Sequence, residues 1–466
     1  MVFTIPLFLA CLFLYTGVAH GEEPFVDRPL TLSDCVEIAL ASSPDVVAAQ
    51  ERIEQARAAV GQAQAGFYPR LSLAENFTRT DFAPMVFFNQ LAQGELSGDS
   101  PSAPPPGFDP FAQFNDPGPL SNWNTQLLLQ WPLFQGGKTY YGTRAARASL
   151  DAAHTELESV HNDLRFAVTS AYYQILQADT SINIVEESVR QIRKHLEIAQ
   201  ARYETEAALK SDVLRVEVSL AEAEENLAIA RHNLERAKSQ LNLAMGRPVN
   251  THFALAPAPE SPPPDDPLSD TTLQELTQMA LEMRPELEAM EKNTLALEHS
   301  VEAAKAEYFP HINVFAHYDI DTEDFSDSND SWTIGVGADI SIFDGFLTRS
   351  NVERARAELR ETEARRERLR LAIEMEVKNA YLAKSEATTR LEVLQQAVAE
   401  ADETLRIVAE RYAEGAALIT ELLDAQVALT NARLRRLSAK HQYFIASAAL
   451  ERAVGKIEER YDGNGI

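Results

Sequence analysis

The chain is written twice, and that repetition limits what it can fold into more than any other feature. Leu32 to Leu73 matches Leu273 to Val314 at a constant offset of 241. Ala39-Leu40 falls on Ala280-Leu281, Pro44 on Pro285, Ala63 on Ala304 and Pro69 on Pro310. From Trp123 onward the offset is 209, so that Trp123 meets Trp332, Gly136 meets Gly345, Arg202-Tyr203 meets Arg411-Tyr412 and Gly246 meets Gly455. The 32-residue difference is one insertion between Pro69 and Trp123. A repeat of this kind implies two structurally equivalent halves.

Punctuation divides the chain further. The prolines of Ala256 to Pro267, APAPESPPPDDP, exclude helix and central strand alike. They mark a linker, 256–270, between a first repeat over 22–255 and a second over 271–456, with a tail at 457–466. The insertion contains Pro104-Pro105-Pro106-Gly107 and reads as a long loop, 81–121, on the outer side of the molecule. Met1 to Gly21 is apolar, carries no charge and ends in small residues, the pattern of a secretory signal peptide without its usual positive start. A retained anchor helix is the alternative. Phe8-Leu9-Ala10-Cys11 matches a lipoprotein cleavage box only in part, Phe8 being the misfit. With the signal removed only Cys35 remains, which allows no intramolecular disulfide and sits in a helix-packing pattern.

The longest periodicity is helical. From Leu164 apolar residues recur at steps of four and three, through Val168, Ala171, Ile175, Val185, Val189, Ile192 and Ala199 to Tyr203. Ile373, Val377, Ala380, Ala387, Leu391, Val398, Leu405 and Tyr412 repeat the stripe in the second copy. A sustained 3.5-residue repeat is a coiled-coil signature. Each such helix runs for roughly 65 residues, about 100 Å at 1.5 Å per residue. It needs a partner stripe, which Val213, Val216, Leu220, Ala223, Ala230, Ala237 and Leu241 supply. The helices fall at about 32–66, 138–203 and 212–245, and again at 273–307, 346–412 and 420–454.

Strands exclude a plain coiled-coil rod. Trp332, Ile334, Val336, Ala338, Ile340 and Ile342 alternate with Thr333, Gly335, Gly337, Asp339 and Ser341. Similar alternation gives strands at about 70–80, 122–134, 311–321 and 331–343, with Glu75 interrupting the apolar face of the first. Alternating segments of about ten residues are what membrane β-barrels use. No segment after the signal is apolar enough for a membrane helix, so any crossing uses strands. Four strands cannot close a barrel, and open edges in lipid cost several kcal/mol per unpaired group. Several copies must share one barrel.

Acidic residues outnumber basic ones by 70 to 42, a net charge of -28, which argues against a nucleic-acid partner. No HExxH, GxSxG, Walker loop or cysteine pair is present, so the sequence supports neither an enzyme nor a cofactor. His311 and His317 share one strand face and read as lumen-lining residues. Asp319 to Asp330 suggests a calcium loop, but its sixth position is Asp324 where an EF-hand turn needs Gly.

Together these features resemble the TolC-like outer-membrane efflux family. The likeness spans about residues 30 to 456 and rests on three doubled motifs: FYPRLSL with YFPHINV, PLFQGG with SIFDGF, and RYETEAALKSDVL with RYAEGAALITELLDAQ. The resemblance implies a mainly α fold with a membrane β-barrel, made of two repeats of helix-strand-strand-long helix-helix. It implies a homotrimer with a 12-stranded barrel in outer-membrane lipid, continued into the periplasm by an α-helical coiled-coil barrel. The implied partners are a periplasmic adaptor and an inner-membrane RND or ABC transporter. Docking would fall on the tips at Ala207, Ala208, Leu209 and Ser211, and at Gly415, Ala416, Ala417, Leu418 and Thr420. The pore constriction would fall on Glu421 and Asp424, whose first-copy counterparts are Asp212 and Arg215. Tyr412 matches the family's latch tyrosine, but Ala417 replaces a usual basic partner, and Glu206 stands where the second tip has Gly415. The implied function is passive export; the outer component of a type I protein-secretion system and a non-conducting coiled-coil envelope protein are the alternatives.

Overall fold

A computed structural model describes residues 28–95, 117–257, 268, 271–325 and 327–457. The expected signal peptide with Cys11, the centre of the insertion, most of the Pro-rich linker and the tail from 458 lie outside the described residues. The first half runs α1 (Leu32–Ser42), α2 (Pro44–Gln64), β1 (Arg70–Thr80), α3 (Ala83–Ala92), β2 (Leu120–Gln135), α4 (Lys138–Glu204) and α5 (Lys210–Ala244). The second runs α6 (Leu273–Met283), α7 (Pro285–Lys305), β3 (His311–Thr322), β4 (Asn329–Asp339), α8 (Leu347–Ala413) and α9 (Ile419–Val454).

Three expectations are corrected. The helices read over 32–66 and 273–307 are each broken in two, at Ser43 and Arg284, whose ψ values of 130° and 120° are extended. The proline that follows each one forbids helical backbone before it, then opens the next helix at its first position. The insertion is not wholly loop: α3 begins at Ala83, and Pro84 sits in its first turn, where the missing N–H is not needed. Finally, β4 stops at Asp339 and not near 343. Asp339 pairs with His311, the first residue of β3, so this chain has no strand left to pair with Ile340 to Phe343.

The four strands form one antiparallel sheet in the order β1-β2-β3-β4, leaving β1 and β4 as open edges. Pleating and register sort the faces. Leu73, Leu127, Tyr318 and Trp332 lie in one cross-strand row, and Leu71, Leu129, Ala316 and Ile334 in the next. This face is apolar, and Leu71, Leu73, Leu127, Tyr318, Trp332 and Ile334 on it are exposed. Glu75 interrupts it, taking a hydrogen bond from the Thr125 hydroxyl at 2.5 Å. The opposite face carries Asn122, Asn124, Gln126, His317, Asp319 and Asp321, with the amides of Asn122 and Gln126 donating to Asp321 and Asp319. A bulge between Pro132 and Phe134 absorbs the missing N–H of Pro132 within a paired strand.

α4 and α8 are each 67 residues long. α5 packs on α4, and α9 packs on both α4 and α8, giving the lateral order α5-α4-α9-α8. No helix among the described residues is long and apolar enough to cross a membrane. Two cores correspond position for position through the repeat. Cys35, Ala39, Leu164, Val168 and Leu241 in the first are Leu276, Ala280, Ile373, Val377 and Leu450 in the second. Cys35 is therefore a packing residue, and burial pushes its thiol up to about 12. Each buried aliphatic side chain in these seams contributes about 1.5–3 kcal/mol.

Matched positions differ in burial where the chain ends laterally. Leu423 of α9 packs against α4 and is 8% exposed, whereas its counterpart Leu214 of α5 is 50% exposed. α8, at the other lateral end, exposes Leu371, Met375, Leu382 and Val393.

Candidate functional site at the helical tips

The two tips, where α4 turns into α5 and α8 into α9, fold alike despite different residues. Glu206 adopts φ 58° and Gly415 φ 77°, both left-handed. The N–H of Glu206 donates to the Tyr203 carbonyl and that of Ala207 to Arg202, at 3.0 and 2.8 Å. Gly415 and Ala416 repeat both bonds to Tyr412 and Arg411, at 3.1 and 2.8 Å. The departure at Glu206 therefore leaves the turn intact, at a local cost of about 1–2 kcal/mol for a left-handed non-glycine.

After each turn the chain extends through Leu209 or Leu418 before the return helix begins. Both leucines are largely exposed, while Val213, Val216, Ile419, Leu422 and Leu423 below them form a buried cluster. Ala207, Ser211, Gly415 and Ala416 are exposed as well; Ala208, Ala417 and Thr420 are half-buried. Two apolar knobs thus stand on rigid, packed stems.

The acids after the turns behave differently in the two copies. Asp212 accepts a hydrogen bond from the Leu209 backbone N–H at 3.2 Å, closing the start of α5. Glu421 and Asp424, one helical turn apart on α9, are both exposed, while Leu422, Leu423 and Ala425 beside them are buried. That face presents carboxylates without a basic residue between them. Arg215, opposite Asp424 in the repeat, breaks the same face on α5.

Tyr412 and Tyr203 also part company. Tyr412 is 5% exposed within the tip cluster, and Tyr203 is 46% exposed. The Arg202 guanidinium lies over the Tyr412 ring, 4.7 Å from its centroid, and donates to the Ala413 carbonyl at 2.8 Å. Arg202 ends the first hairpin's long helix and Tyr412 ends the second's, so this contact ties the two hairpins together. Sequence reasoning passed over Arg202, although the doubled Arg-Tyr dipeptide carried the signal. Its counterpart Arg411 folds back on its own turn, donating to the Ala416 carbonyl at 3.1 Å.

His311 and His317 stand on the polar sheet face, each within 4 Å of a carboxylate. No metal-holding group of His, Cys, Asp or Glu occurs among the described residues.

Residues 35–247 and 276–456 match the family model described as outer membrane efflux protein. Protein CyaE of Bordetella pertussis is 27% identical over 447 residues, covering 95% of this chain and 88% of that protein. Alkaline protease secretion protein AprF of Pseudomonas aeruginosa is 23% identical over 442 residues, covering 92% and 85%. Among solved structures, the CmeC outer membrane channel of Campylobacter jejuni superposes with a TM-score of 0.77 at 16% identity, covering 91% of this chain and 86% of that one.

Proposed function

Because this chain belongs to the outer membrane efflux protein family, we propose that it is the outer-membrane channel of a tripartite export system. Three copies close a 12-stranded barrel in outer-membrane lipid and a helical tunnel in the periplasm. Substrates delivered by an inner-membrane RND or ABC transporter and a periplasmic adaptor pass through it without further energy input.

One observation carries this reading. Every contact between the two halves of one chain has a vacant counterpart at the chain's lateral edges. β2 pairs with β3 while β4 and β1 are open; α9 covers α4 while α8 and α5 are open. Adding copies so that β4 meets the next β1, and α8 the next α5, satisfies both layers at once. Unpaired strand edges in lipid require such closure, and the apolar outer face of the sheet suits a lipid neighbour. A non-conducting coiled-coil protein would have no use for that face. Family membership favours transport over catalysis.

The exposed Leu209 and Leu418 fit docking of an adaptor, since covering an exposed leucine on a rigid stem removes its apolar surface from water. Photoreactive residues placed singly at these positions in living cells test this, with captured partners identified by mass spectrometry. Capture of an adaptor from a proton-driven pump supports small-molecule efflux. Capture of one that serves an ATP-driven transporter supports type I protein secretion, the reading that the similarity to AprF favours. A folded, outer-membrane protein that captures no adaptor at either tip would sink the docking claim.

Glu421 and Asp424 from three copies would ring the periplasmic entrance with six carboxylates, attracting cations. In planar bilayers, Glu421→Ala combined with Asp424→Ala should weaken block by multivalent cations about tenfold, a loss of roughly 1.4 kcal/mol of binding. Unchanged block would remove the acidic ring.

A further inference from the structure

The insertion has no role in the reading above, yet it holds the described helix with the most unusual surface. α3 presents Phe82, Met85, Phe88 and Leu91 to solvent, Phe82 and Phe88 being more than 60% exposed. Its C-terminal end is fixed to the polar face of the sheet, not the apolar one. The Gln93 amide donates to the Asn122 side chain and to the Ser121 carbonyl, both at 2.8 Å, and Asn122 in turn donates to Asp321. Asn329, the register partner of Asp321, donates to the Ala92 carbonyl at 2.9 Å. Val86 is buried on the opposite side of the helix from Phe88.

We propose that the α3 helices of three copies meet on the channel axis and constrict its outer mouth with an apolar plug. This rests on the trimeric barrel proposed above. Lipid cannot cover α3, because the face that holds it lines the lumen. Space decides the occupant. Twelve strands spaced about 4.8 Å apart and tilted about 40° enclose a circle of backbone radius about 12 Å. Three touching cylinders about 10 Å across fill a circle about 11 Å in radius. Helices seated on that wall therefore touch one another, and Phe88 meets its copies. Burial of these side chains holds the three helices together, and an apolar constriction raises the barrier to water and ions without needing complete occlusion. The second half lacks the insertion, so one helix per chain suits a threefold plug.

The test is cysteine crosslinking on intact cells with a membrane-permeable oxidant; the only other described cysteine, Cys35, is buried. Phe88→Cys should form covalent dimers. A separate variant, Phe77→Cys with Val336→Cys, reports barrel closure, because the β2–β3 register carried over to β4 and the next β1 places these two opposite. If that pair links neighbouring copies and Phe88→Cys does not, the plug is overturned and the barrel stands. If neither links, the barrel reading falls with it. In bilayers, Phe82→Ser with Phe88→Ser and Leu91→Ser should raise the conductance of the open level about threefold. Equal conductance would show that α3 restricts nothing.

Discussion

Gly345→Ala should arrest assembly as severely as Gly136→Ala, although within one chain the space beyond Gly345 is open. The two glycines are matched in the repeat and share the left-handed region, with φ 69° and 61°. At Gly136 a Cβ would overlap the Ala306 carbonyl oxygen and crowd Phe309, so the exit of β2 and the entry of β3 could no longer pass each other. Applying the same half-to-half relation across the chain edge places Gly345 against Ala65 and Tyr68 of the next copy. A left-handed alanine alone costs about 1–2 kcal/mol, which a folded protein survives. Overlap with backbone adds a term that only displacement of a strand can relieve, so at least a tenfold loss of outer-membrane oligomer is expected from either variant. Native gels of solubilised membranes read it directly. Near-normal oligomer from Gly345→Ala, with almost none from Gly136→Ala, would refute equivalent packing of halves within and between chains. The same closure should extend β4 through Ile340 to Phe343, the residues that one chain leaves without a partner.

The long helices were legible because their stripe is sustained: Leu164 to Ala199 recur at helical spacing and lie on the buried face of α4. The strands were legible from alternation, since Trp332, Ile334 and Val336 cannot share a helix face. Short-range punctuation was harder. Pro44 and Pro285 fell inside helices read as continuous and Pro84 inside a segment read as loop, yet each lies in the first turn of a helix, where the missing N–H is not used. Where β4 ends depends on its neighbour and not on its own residues, so no local pattern could give it. Of the tip, the residues themselves were visible in the doubled motif, but the pairing was not. Arg202 and Tyr412 lie on different hairpins, and only their packing through α9 brings them together. The burial of Tyr412 against exposure of Tyr203 is likewise a property of which edge of the chain each one occupies.

Removing the Arg202 guanidinium should open the tip. Its stacking over Tyr412 is a cation–π contact worth about 0.5–2 kcal/mol, and its bond to the Ala413 carbonyl is charge-assisted. Discounted for partial exposure, the pair holds the hairpins together by about 2 kcal/mol, so Arg202→Ala should shift the ratio of open to closed tips roughly thirtyfold. Single-channel recordings would show longer and more frequent open intervals, and cells would admit large antibiotics only if the outer mouth were opened as well. Arg202→Lys retains a cation over the ring but lacks the fork that reaches Ala413, and should fall between wild type and Arg202→Ala. The decisive variant is Arg411→Ala. In one chain Arg411 donates to the Ala416 carbonyl of its own turn, where its loss would alter little. In the proposed trimer, equivalence of the halves would stack it on Tyr203 of the neighbouring copy, the ring that is exposed in a single chain. Opening by Arg411→Ala comparable to that by Arg202→Ala would mean a closed ring of six Arg–Tyr contacts. A silent Arg411→Ala beside an active Arg202→Ala would mean that the latch works inside each chain, and that copies at the tip are held by their apolar seams alone.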